Sequence, residues 1–517
     1  MSSSAFNSLL FPGASDPAQC GSAEQPAYFR DLNLDQVAER LVSGRKNYDL
    51  EPYFNAPLHE PGTIRWRQEI FTELEDPALY EAVKWFGKQE LSFHFEQQQR
   101  ALRKDDGGFS HYHYLRSFLN AAVNYCTTLE EFNGRLQRFD LRSQGLRAFR
   151  DYLAAYLGGA PFRELAEQAR TLDRELGEIQ YSLLLKGSRI TVGPYSEQDD
   201  YSLRVKATFE RFAQSTVESE ASEFKDWETY SGLGILHLVA KVYPALFKRL
   251  DEFCRGAITY LDPTLAGCDR ELQFFMAYIE YIAPLRERGL PFSYPLICTE
   301  QRSEQALETF DLALAERRAS EGVTVIGNDL YLAEGERLLV VTGPNNGGKT
   351  TFARTYGQLH HLARLGCPVP GRESRLFLCD RIFTHFEQRE DSTTLNGKLQ
   401  SELNQLHAAL EQATPESLFI LNEVFSSTTA QDALQISTAI LERIDQLGCL
   451  CLCVTFLDEL SRLNQRTVSM VSEVDHQNPA VRTYRLSRRP ADGRAYARAL
   501  AEKYGLTYTQ LTSGGKR

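Results

Sequence analysis

The sequence predicts an α/β domain in the C-terminal half, preceded by a long, mostly α-helical region that one small β-hairpin interrupts. Three observations predict this. Short apolar runs at 338–341 (LLVV) and 418–421 (LFIL) are bounded by turn residues and read as buried strands. Helix-period patterns fill most of 31–168 and return from about Tyr201 to Leu314. Residues 178–195 (EIQYSLLLKGSRITVGPY) alternate instead, with a turn at Lys186-Gly187-Ser188, as a hairpin requires.

In chain order, residues 1–27 are rich in Ser, Pro, Gly and Ala and read as a flexible leader. A helical domain is expected over 28–310, with turn clusters at Asn55-Ala56-Pro57 and Asp105-Asp106-Gly107-Gly108 and the hairpin near 179–192. An α/β domain follows over 311–490. A helical tail over 491–517, a candidate for dimerisation, closes the chain. In CLCLCVTF, Cys449, Cys451 and Cys453 share one face of a strand, which points to core packing and away from metal. Leu399, Leu403, Leu406 and Leu410 form a helix stripe that would present Asn396 and Gly397 at the helix start.

Composition excludes some classes. Across 517 residues the chain is 42% hydrophobic and 24% charged, as globular proteins are, and no apolar run is long enough to cross a bilayer. Ten irregularly spaced cysteines with no CxxC pair suit a reducing, cytoplasmic setting. The net charge of −12 means that any nucleic-acid contact must come from local basic surface. Arg135, Arg138, Arg142, Arg147 and Arg150 recur along a helical pattern and are the best candidate, although charge alone favours a solvated helix face. His111-Tyr112-His113 and His360-His361 have no accompanying Cys or carboxylate cluster, so they read as surface or core histidines.

The chemistry concentrates at RLLVVTGPNNGGKTTFARTYG. Gly343 to Thr350 fits G-x-x-x-x-G-K-[ST] between an apparent strand and a helix, the context that makes the match a phosphate-binding P-loop. Gly343, Gly347 and Gly348 let the backbone N–H groups of the loop, with Pro344, Asn345 and Asn346, curl around an anion at the positive end of a helix. Lys349 would reach the β- and γ-phosphates of ATP, Thr350 would ligate Mg²⁺, and Thr351 follows in the first helical turn. In SLFILNEVF, a second strand ends in Asn422 and Glu423. Glu423 stands where a water-activating base belongs. Asn422 takes a position usually held by Asp, so it offers the metal only an amide oxygen and should weaken Mg²⁺ binding or slow turnover.

These residues resemble the MutS mismatch-repair ATPases. TGPNNGGKTTFAR is similar to that family's P-loop, and CDRIFT (379–384) to its D-R-I-F-T segment. SLFILNEVFSSTTAQDA resembles its second acidic motif, with Ser427, Thr428 and Asp432 in corresponding places. VTFLDEL and ADGRAYARALAEKYGLTYTQL resemble its switch strand and closing helices, and the pieces keep the family order from about 304 to 511. DLNLDQVAERL and FNAPLHEPGTIRWRQEIFTEL are similar to its core and lever helices. The implied fold is an ABC/MutS-like P-loop NTPase domain behind a helical core and lever.

The departures shape the expectation. Asn396-Gly397-Lys398 replaces the serine-bearing signature that reaches a dimer partner's γ-phosphate, and Phe456 replaces the switch histidine. No aromatic stands at the adenine-stacking position near Val325, and no counterpart of the mismatch-reading domain is recognisable. The resemblance therefore implies a shortened MutS-like protein that is not itself a mismatch reader. It would be an ATP hydrolase, slowed by Asn422, that binds duplex or branched DNA as a homodimer in repair or recombination, with Asn396 and Gly397 facing the partner's nucleotide. The alternatives are a nucleotide-responsive scaffold with negligible hydrolysis, or an ABC/SMC-like ATPase that does not act on DNA.

Overall fold

The computed structural model describes residues 6–13, 24–103, 110–186, 189–195, 224–386, 397–475, 482–491 and 508. The leader lies largely outside them, and Asn396 and the tail beyond Ala491, Tyr508 excepted, lie outside them too. The chain forms two compact units, one of Met1–Glu75, Arg142–Gly145 and Gln273–Arg517, the other of Asp76–Leu141 and Leu146–Leu272.

The helices before the hairpin are α1 (Leu34–Val42), α2 (Glu51–Asn55), α3 (Pro61–Glu73), α4 (Pro77–Gly87), α5 (Leu91–Arg103), α6 (His111–Leu136), α7 (Gln144–Gly158) and α8 (Ala160–Gly177). Their starts are legible: Pro61, Pro77 and Pro161 sit in first turns, and Asp76 caps α4 by accepting from the N–H groups of Ala78 and Leu79. The arginine run does not lie on one helix. The backbone leaves α6 at Leu136 and re-enters helix only at Gln144. Arg135 stacks on Trp85 at 4.0 Å and pairs with Glu131, while Arg150 pairs with Asp151, so these two already have local partners.

The hairpin of β1 (Tyr181–Lys186) and β2 (Arg189–Pro194) is antiparallel, with Leu183 opposite Val192 and Leu185 opposite Ile190. Next come α9 (Phe224–Val242), α10 (Pro244–Gly256) and α11 (Pro263–Glu287). Leu115, Phe118, Leu119 and Ala122 of α6 pack with Ala169, Leu172, Leu250 and Phe253 in one apolar cluster of the second unit.

Continuous helix to Leu314 was expected; instead three strands follow α11. They are β3 (Phe292–Ser293), β4 (Leu296–Cys298) and β5 (Glu304–Thr309), before α12 (Leu312–Ser320). Gly289, at φ +82°, ends the helix, and Pro291 and Pro295 flank the first short strand.

The first unit continues with β6 (Asn328–Leu332), β7 (Leu338–Thr342), α13 (Lys349–Leu365), β8 (Val369–Pro370), β9 (Glu373–Phe377) and β10 (Ile382–Phe386). Then come α14 (Lys398–Gln412), β11 (Leu418–Asn422), α15 (Ala430–Leu447), β12 (Leu450–Val454), β13 (Thr467–Val474) and β14 (Arg482–Arg488). The main sheet runs β10-β11-β12-β7-β13-β14, parallel except for β14 at the edge. A second sheet, β4-β9-β5-β6, and the pair β3-β8 accompany it. Strands β7, β11 and β12 are buried throughout, as central parallel strands must be. Cys449, Cys451 and Cys453 lie in the core with Leu338, Val340, Phe419 and Leu421.

Helix α13 is the best-buried helix of this unit from Phe352 onward. Gln358 donates to the Leu32 carbonyl, Arg354 to that of Asp31, and a Cβ on Gly357 would come within 2.5 Å of Leu32. The residues before α1 therefore hold the helix whose N-terminus opens on the P-loop.

Candidate functional site

Strand β7 delivers the chain to the turn 343–348. Gly343 (φ +118°) and Gly348 (φ +92°) take left-handed conformations that a side chain would strain, and Asn346 (φ +59°) is the one non-glycine residue there to do so. The carbonyls of the turn are pinned one by one. Lys349 Nζ donates to Gly343 O at 2.9 Å and Pro344 O at 3.1 Å, Arg482 Nε to Asn345 O at 3.0 Å, and Ser472 Oγ to Gly347 O at 2.7 Å. The carbonyl ends are thus occupied, and no described residue accepts from the N–H groups of Asn345, Asn346 or Gly347. A ring of N–H donors at the start of α13 is the arrangement that holds an anion.

That ring faces a cavity of about 860 Å³. Asn345, Asn346, Gly347, Gly348, Lys349, Thr350, Thr351 and Glu423 line it, whereas Gly343, Pro344 and Asn422 stand behind the lining. The far wall comes from α12 and the segment after it: Leu314, Arg318, Val323, Val325 and Ile326, with Tyr484 from β14. The volume suits a nucleotide-sized ligand.

Lys349 is almost wholly buried; burial lowers its pKa, Glu423 counteracts, and Arg482 adds to the lowering. Its Nζ lies 3.9 Å from Glu423 Oε1 and 4.3 Å from the centre of the Phe456 ring. Glu423 reaches that place through an uncommon backbone: its φ is +54° and that of Phe425 is +61°, while the Phe425 N–H donates to Glu402. Behind them Asn422 Oδ1 and Thr342 Oγ1, both buried, have no hydrogen-bond partner among the described residues. An amide oxygen left without a donor at a strand end, next in sequence to the carboxylate of Glu423, is a hard oxygen ligand. It fits Mg²⁺ held partly by water and phosphate. No cluster of three or more His, Cys, Asp or Glu ligands occurs among the described residues.

Gly397 is the exposed N-cap of α14 and is not among the residues that line the cavity; Asn396 lies outside the described residues. His360 and His361 are buried, His361 between Tyr28 OH and the Phe54 carbonyl, as core histidines. Sequence reasoning missed Ser472, Tyr484 and the seat of Phe456 over Lys349. Tyr484 is 53% exposed beside Gly348 and is held at φ +59°, while Asn328 pins the strand by bonding Tyr484 O and the Leu486 N–H. None of these carries a local signal: each depends on β12, β13 or β14 joining the sheet that holds β7.

Residues 339–509 match the family model of MutS domain V. The chain is 31% identical over 301 residues to the DNA mismatch repair protein MutS of Chloroflexus aurantiacus, covering 56% of this chain and 28% of that protein. It is 38% identical over 138 residues to MutS of Thermotoga neapolitana and 36% over 140 residues to MutS of Thermotoga maritima, covering 27% of this chain each time and 17% and 18% of those proteins. The chain spans less than a third of the length of these curated relatives.

Proposed function

We propose that this chain, whose C-terminal part is MutS-like, binds ATP with Mg²⁺ at the 343–351 turn and uses it to control an association with DNA. The observation that supports this most directly is the turn itself. Four carbonyls are tied away by Lys349, Arg482 and Ser472, leaving the N–H groups and the helix start to an anion. Lys349 moves from the loop carbonyls to the β- and γ-phosphates, and Glu423 orients the attacking water. Thr350 and Asn422 would hold Mg²⁺, which when bound would neutralise charge on the phosphates. The nucleoside lies toward Val325 and Tyr484.

Hydrolysis is expected to be slow. A neutral Asn422 brings less charge to the metal than a carboxylate, and the apolar Phe456 offers no proton or hydrogen bond beside Lys349. These two residues favour a second reading, a nucleotide-responsive scaffold that turns over very little. The relatives' name, DNA mismatch repair protein, supports an action on DNA, and under either reading we propose that the chain acts there as a homodimer on duplex or branched DNA. No described helix is long and apolar enough to cross a membrane. One assay separates the readings: ATP turnover with and without duplex and branched DNA, beside equilibrium binding of ATP. Binding with DNA-stimulated turnover favours the enzyme, binding with none favours the scaffold, and no binding removes both.

A further inference from the structure

The ammonium of Lys349 is enclosed on every side the structure shows. Two loop carbonyls accept from it, Glu423 lies 3.9 Å away, and the Phe456 ring covers it at 4.3 Å. A phosphate oxygen that is to reach Nζ must displace one of these groups. The carbonyls belong to the turn itself, and the Glu423 side chain is 23% exposed. Phe456 is 53% exposed and stands two residues beyond the end of β12, after Thr455, whose N–H is fixed to Val341 O and whose hydroxyl accepts from Leu457 N. The ring is the group with room to leave.

We propose that Phe456 is a positioning residue that competes with phosphate for Lys349. The negative face of its ring holds the ammonium on the loop carbonyls. Every anionic ligand at Nζ binds against the ring, which lowers its affinity a few fold. This rests on the nucleotide-binding reading above.

The test measures calorimetric affinity of the chain for ATP and a slowly hydrolysed ATP analogue, with Mg²⁺, in wild type, Phe456→Leu and Phe456→Trp. Leucine keeps apolar bulk and removes the ring's charge distribution; tryptophan strengthens it. Phe456→Leu should bind the triphosphate about two- to fivefold more tightly, and Phe456→Trp more weakly than wild type. Bulk alone would order the variants the same way, so pentafluorophenylalanine at 456, which keeps the ring's shape and reverses the charge of its face, is measured beside them: competition predicts tighter binding than wild type, bulk alone no change. Equal affinities, weakening in both Phe456→Leu and Phe456→Trp, or no change with pentafluorophenylalanine would overturn the competition while leaving nucleotide binding intact. A wild type that binds no triphosphate, in a preparation whose melting shows it folded, would remove the nucleotide reading and this inference together.

Discussion

Ser472 Oγ donates a 2.7 Å hydrogen bond to the Gly347 carbonyl and occupies the space a side chain at 347 would need, only 2.1 Å from the Cβ position. One contact from β13 therefore both orients the P-loop carbonyl and forbids a larger residue. Gly347→Ala should push the turn off β13 and lower ATP affinity at least tenfold, with a loss of roughly 1–3 kcal/mol in stability. Ser472→Ala removes one hydrogen bond and should cost about 1 kcal/mol. Calorimetric ATP binding beside thermal melting checks both; a Gly347→Ala protein that binds ATP like wild type would show the turn is not built this way.

Lys349→Ala should abolish ATP binding, because it removes the main cation facing the β- and γ-phosphates and releases two loop carbonyls at once. Glu423→Gln keeps the shape and hydrogen-bonding reach of the side chain but not its charge. It should bind ATP as wild type does and lose on the order of 10²- to 10⁴-fold in turnover. Wild-type hydrolysis by Glu423→Gln would rule out its role as base.

How much of this was readable before folding follows from how local each signal is. The turn 343–348 with its flanking strand and helix is a contiguous pattern, so β7 and α13 were legible to within a residue or two. Strands β3, β4 and β5 were not, since each is short and is held by pairing with strands 50 or more residues away in several cases, such as β4 with β9. Asn422 was singled out by its place at the end of a second strand, before Glu423; only the structure shows its amide oxygen buried without a donor. Ser472 and Tyr484 were invisible because their neighbours Gly343, Gly347 and Gly348 come from the 343–348 turn, more than a hundred residues earlier.

A buried ionic group inside the first unit predicts a pH dependence. Glu304 accepts from Tyr356 OH and the Phe377 N–H and lies 3.2 Å from His360, whose other ring nitrogen is 3.7 Å from Cys379 Sγ. Burial opposes the imidazolium, but Glu304 and Cys379 together outweigh it and raise His360 to about 10 from 6.5. Because the folded value is the higher one, the stabilisation is fully present below pH 6.5 and is lost as pH rises toward about 10. Denaturant midpoints should fall from pH 7 to 10 in wild type and fall less in His360→Leu. That variant, leaving Glu304 without its cation, should itself cost about 3–5 kcal/mol at pH 7. An identical slope in both proteins would show that His360 is neutral when folded.

The last prediction concerns assembly. Gly397 is not part of the lining of the cavity at the 343–351 turn. Gly397 is exposed at the start of α14, and among the described residues nothing lies within 4 Å of a Cβ built on it. Its φ of −60° is open to any residue, so Gly397→Val should fold and bind ATP as wild type does. If a second copy presents this helix start to the γ-phosphate, the valine stands between N–H and phosphate. Turnover should then drop about tenfold or more, with ATP affinity nearly unchanged, because the turn 343–351 is untouched. Sedimentation with a slowly hydrolysed ATP analogue supplies the companion measurement: wild type should shift toward a dimer at micromolar concentration, and the shift should weaken in Gly397→Val. A chain that stays monomeric with the analogue bound, yet hydrolyses ATP equally well with glycine or valine at 397, would refute the composite site.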